Sequence, residues 1–133
     1  MRRRLPADLE APFAAFGRVA AAIERGQRAL LASVPNTRLP GRPLADTLVA
    51  YEEALEDAAA SMEAWRAPAV APAWSRAAAG LATARDLARR IRLEAPEPEG
   101  FEALVGTIGD LLAPLDAFHD AEEAFARLRR WRR

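Results

Sequence analysis

Between residues 44 and 65 the apolar positions Leu44, Leu48, Tyr51, Leu55, Ala58, Met62 and Trp65 fall in alternating steps of four and three. This heptad spacing lays one continuous apolar stripe along a helix of roughly 30 Å. Glu52, Glu53, Glu56, Asp57 and Glu63 occupy its other faces. Such a stripe must be covered, and three further runs with the same period supply the cover. The first carries Leu9, Phe13, Phe16, Ala20, Ile23, Gln27, Leu30 and Val34, with Gln27 as its polar member. The third, Trp74, Ala77, Leu81, Ala84, Ala88 and Ile91, is built largely of small residues, which let neighbouring backbones approach closely. The fourth runs Phe101, Leu104, Ile108, Leu111, Leu115, Phe118, Glu122, Phe125 and Leu128.

Proline punctuates these runs. Prolines at 35, 40 and 43 with Gly41 end the first helix and give an irregular connection, and Pro43 suits the first helical residue of the next. Pro68 and Pro72 separate the second and third helices, and the Ala95-Pro96-Glu97-Pro98-Glu99 turn stops the third. Two prolines lie inside a periodic run. Pro12 predicts a bend or restart of the first helix, and Pro114 predicts a kink near Asp110 or a break into two helices. The expectation is a single all-α domain, an antiparallel up-down-up-down four-helix bundle with helices over residues 7–34, 43–66, 73–94 and 99–130.

Composition agrees with helix and narrows the chemistry. A chain of 133 residues fits one ordinary domain, and alanine is abundant while β-branched residues are few. Cysteine is absent, which removes disulfides, thiolate catalysis and cysteine-based metal sites. All 19 basic residues are arginine, as a GC-rich bacterial genome produces, and they balance 19 acids. No global charge therefore argues for nucleic acid, and no apolar run approaches a membrane span. Arg2, Arg3 and Arg4 resemble the start of an export signal, but Asp8 and Glu10 interrupt what would be its apolar part. A cytoplasmic protein is expected.

An antiparallel bundle places both chain ends and the second connection together. Arg2, Arg3, Arg4, Arg66, Arg76, Arg127, Arg129, Arg130, Arg132 and Arg133 then gather with Trp65, Trp74 and Trp131 at one end. Arginines beside tryptophans suit carboxylate, phosphate or stacked bases, through bidentate hydrogen bonds and cation–π contact. The competing reading is a set of solvated arginines over tryptophans that plug the core.

His119 is the sole histidine. Asp116, Glu122 and Glu123 lie three or four residues away, a spacing found in dimetal bundles, but those need a second histidine and further inward carboxylates. A solvated histidine without metal is expected. Ser33, Ser61 and Ser75 have no histidine nearby in sequence, and Gly106-Thr107-Ile108-Gly109 is too short for a phosphate loop. The chain reads as a non-enzyme without a cofactor, whose partner is another protein or a second copy, nucleic acid being the weaker case. The alternative is a small ligand or metal in or beside the core, next to the polar seam residues Gln27 and Glu122. Counting down the first two helices brings Gln27 level with Tyr51, which predicts a buried hydrogen bond between them.

Overall fold

The computed structural model describes residues 2–131. It is an all-α, four-helix arrangement in which the fourth helical run is divided. Helix α1 spans Glu10–Leu31, α2 Leu44–Ala60, α3 Ala71–Glu94, α4 Phe101–Leu112 and α5 Asp116–Arg127. Two-residue strands, β1 (Arg3–Arg4) and β2 (Arg130–Trp131), pair antiparallel across the ends of the described chain.

The prolines explain most departures from the sequence-based bounds. The helix does not restart at Pro12: a 3-10 turn at Ala7–Leu9 leads into an α-helix that begins at Glu10, so Pro12 falls in the first turn. An N–H at that position has no intrahelical acceptor, and its loss costs nothing there. Pro43 precedes α2 as its N-cap residue and is not its first helical residue. The end of the second periodic run tightens into a 3-10 turn, Met62–Trp65, before the extended Ala67 that Pro68 requires. At Pro114 the α-helical run is interrupted by the 3-10 turn Ala113–Leu115.

Contacts between α1 and α2 run in opposite order along the chain: Ser33 meets Thr47, Arg25 meets Asp57 and Phe16 meets Trp65. These two helices are therefore antiparallel. The same holds for α2 and α3, where Glu52 binds Arg92 while the Trp74 indole N–H donates to the Met62 carbonyl at 2.8 Å. Helix α5 closes the arrangement against α3 and, through Phe125, against Phe13 and Phe16 of α1.

All seven apolar positions of the 44–65 seam are buried. An aromatic cluster of Phe13, Phe16, Trp65, Trp74 and Phe125 fills one end of the core, with ring centroids 4.9–6.4 Å apart. Burying side chains of this size contributes about 1.5–3 kcal/mol each. Three seam assignments are corrected. Gly26, not Gln27, takes the buried position against Tyr51 and Ala54, and Gln27 is only half-buried. Ala121 takes the buried place and leaves Glu122 exposed. Phe101 is 59% exposed. The seam resumes beyond both polar positions, at Leu30 and Phe125, so Gly26 and Ala121 are local choices of the smaller neighbour for the inward face.

Two close approaches set the packing. Gly80 of α3 lies against the Pro114 break, where an added Cβ would stand 2.2 Å from the Pro114 carbonyl oxygen. At the same break the Tyr51 hydroxyl donates to the Leu111 carbonyl at 2.6 Å, across the core from α2. Burial pushes the Tyr51 phenol well above its usual range.

Candidate functional site

The ends of the chain are drawn together by the β1–β2 ribbon, in which Arg3 lies opposite Trp131 and Arg4 opposite Arg130. The arginine side chains then bind backbone and rings. Arg3 donates to the Arg129 carbonyl at 3.3 Å, and Arg130 to the Arg127 carbonyl at 2.8 Å. Arg129 stands over the Phe13 ring at 5.2 Å. Among the described residues none of Arg3, Arg4, Arg129 and Arg130 has a carboxylate partner, whereas Arg127 pairs with Glu123 at 3.5 Å. Arg2 is exposed beside this ribbon, and Arg132 and Arg133 lie outside the described residues.

The tryptophans separate into two roles. Trp65 is fully buried, and Trp74 is half-buried under Arg66, whose guanidinium lies 4.4 Å from its ring centroid. These two plug the core. Trp131 is 65% exposed and is the tryptophan presented to solvent with the arginines.

The remaining candidates do not form a site of their own. His119 is exposed and meets Glu123 at 3.4 Å, while Glu123 is shared with Arg127. Gln27, Asp116, His119 and Glu122 do come together, along an open groove of about 230 Å³ between α1 and α5. They line its length without converging: among the described residues no group of three His, Asp or Glu side chains is placed to hold a metal ion. The expected Gln27–Tyr51 hydrogen bond is absent, because the phenol is engaged by Leu111. Ser33 is buried and bonded to Thr47 Oγ1 at 2.6 Å, so its hydroxyl serves the α1–α2 contact.

Two features escaped the sequence reading. The balanced net charge hides segregation by helix: α2 carries Asp46, Glu52, Glu53, Glu56 and Asp57 without an arginine, while α3 carries Arg76, Arg85, Arg89, Arg90 and Arg92 against Asp86 and Glu94. A helix-by-helix charge count would have found it. The second feature is the end opposite the ribbon, where Phe101 opens α4 after Gly100, whose φ of 88° needs glycine. There the Glu97 carboxylate accepts the Ala45 N–H at 2.9 Å and so caps α2 from a distant loop. No helix among the described residues is long and apolar enough to cross a membrane. No protein-family model, curated protein or solved structure matches the chain significantly.

Proposed function

We propose that this chain is a non-enzymatic cytoplasmic protein that binds an acidic protein partner through its ribbon end. The observation that supports this is the pairing of Arg3–Arg4 with Arg130–Trp131, which gathers around an exposed indole arginines that have no carboxylate partner among the described residues. Guanidinium groups held by backbone carbonyls and a ring keep further donors for a carboxylate. Exposed tryptophan and arginine are the residue types that most often carry binding energy in protein interfaces.

The test is a titration of the full chain with a fluorescent polyglutamate peptide, beside single-stranded DNA of equal charge. Polyglutamate should bind, more weakly as salt rises from 50 to 300 mM, and Arg3→Ala/Arg4→Ala/Arg130→Ala should weaken it about tenfold. Unchanged affinity in the triple variant refutes the assignment. Tighter binding of DNA than of polyglutamate replaces protein with nucleic acid.

A further inference from the structure

The protein exposes Phe101 and Trp131 among its described residues, and their neighbours along the chain are opposite in charge. Trp131 follows Arg127, Arg129 and Arg130 and precedes Arg132 and Arg133. Phe101 follows Glu94, Glu97 and Glu99 and precedes Glu102, with no basic residue anywhere between 94 and 102. Beside Phe101 lies an open groove of about 310 Å³ with an apolar lining of Pro35, Pro43, Leu44, Pro98, Phe101 and Leu104. Arg42 and Glu97 also line it, and Glu99 and Glu102 flank its Gly100 and Phe101 in the sequence.

From this complementarity we propose that the acidic partner of the ribbon end is a second copy of the chain. Trp131 of one molecule seats in the Phe101 groove of the next, and Arg129 and Arg130 pair with Glu99 and Glu102. The inference rests on the function proposed above and names its partner. A proline- and phenylalanine-lined groove offers an indole flat apolar faces, and the rim charges fix its direction of entry. One molecule cannot make this contact with itself. Helix α3 alone, whose first turn holds Trp74 at the aromatic end and whose last turn holds Arg92 beside Glu52, separates the two surfaces by roughly 36 Å at 1.5 Å per residue. Because groove and ribbon are different surfaces, the interface is heterologous, and association continues head to tail instead of stopping at a two-fold dimer.

The test uses the intact chain and two variants, Trp131→Ala and Phe101→Ala. Both side chains are more than half exposed, so both variants should fold, with circular dichroism as the check. In sedimentation velocity the wild-type mass should climb with concentration beyond a dimer and fall back at high salt. Each variant alone should associate at least about tenfold more weakly. A mixture of the two, which keeps one intact groove and one intact ribbon, should yield a 1:1 heterodimer and nothing larger. A wild-type chain that stays monomeric to millimolar concentration, a dimer that neither substitution weakens, or a mixture no more associated than its components overturns the proposal. Polyglutamate titration of Phe101→Ala separates the two ideas. Retained peptide binding there leaves the ribbon reading intact, and the second copy is removed only where the wild type binds the peptide yet does not self-associate. Lost peptide binding by Arg-competent, folded protein sinks the ribbon reading itself.

Discussion

Replacing Tyr51 by Phe deletes one oxygen from the interior and leaves the ring in place beside α1. The Leu111 carbonyl then faces the core without its 2.6 Å donor, at the turn where Pro114 already interrupts the helix. A hydrogen bond of this kind contributes about 1 kcal/mol net, and an orphaned buried acceptor raises the cost to about 1–3 kcal/mol. At about 2.1 cal/mol/K per residue, a chain of 133 residues unfolds with an entropy near 0.28 kcal/mol/K, so Tm should fall by about 4–11 °C. The same hydroxyl makes stability depend on alkaline pH. Its folded pKa lies above the ordinary value of 10.0, so below pH 10 both states hold the proton and the contribution is fully present. Above pH 10 the unfolded chain releases the proton while the folded one keeps it, and stability falls by up to about 1.4 kcal/mol per pH unit. This protein is unusually clean for the measurement, since it has one tyrosine, no cysteine and no lysine to titrate in the same window. Urea unfolding followed by circular dichroism from pH 8 to 11.5 should show the loss in the wild type and a flat line in Tyr51→Phe. Equal slopes in both proteins would refute the reasoning, and so would a Tm unchanged at pH 7.

Gly80→Ala should destabilise despite alanine's better helix propensity. The new Cβ would stand 2.2 Å from a backbone carbonyl, and the shift this forces costs about 1–3 kcal/mol against at most about 1 gained from propensity. A raised Tm would mean that α3 does not press on the Pro114 turn. Gln27→Leu combined with Tyr51→Phe should be additive within about 0.5 kcal/mol, because the two side chains share no hydrogen bond. A larger coupling in that double-mutant cycle would restore the contact that the helix count suggested.

The sequence by itself determined the fold class and most of the core. The stripe from Leu44 to Trp65 is buried at all seven places because the apolar spacing of a helix is a local property, decided by the residues and the 3.6-residue turn. Proline positions fixed where the helices are separated and where the last run breaks, since a missing N–H acts wherever the chain goes next. Only the tertiary structure decided which flank of each stripe faces inward. Gly26 displaced Gln27 because α1 meets Tyr51 and Ala54 at close range, and Ala121 displaced Glu122 where α5 meets its neighbours, choices that depend on distances between elements far apart in the sequence. The hydroxyl of Tyr51 shows the same division. Its burial was legible in the heptad, but its partner, a backbone carbonyl 60 residues away, carries no mark in the residue type, since every residue offers one. The two ends followed suit. The arginines around Trp131 could be read along the chain, whereas the exposure of Phe101 and the groove beside it arose only when two loops and two helix ends met there.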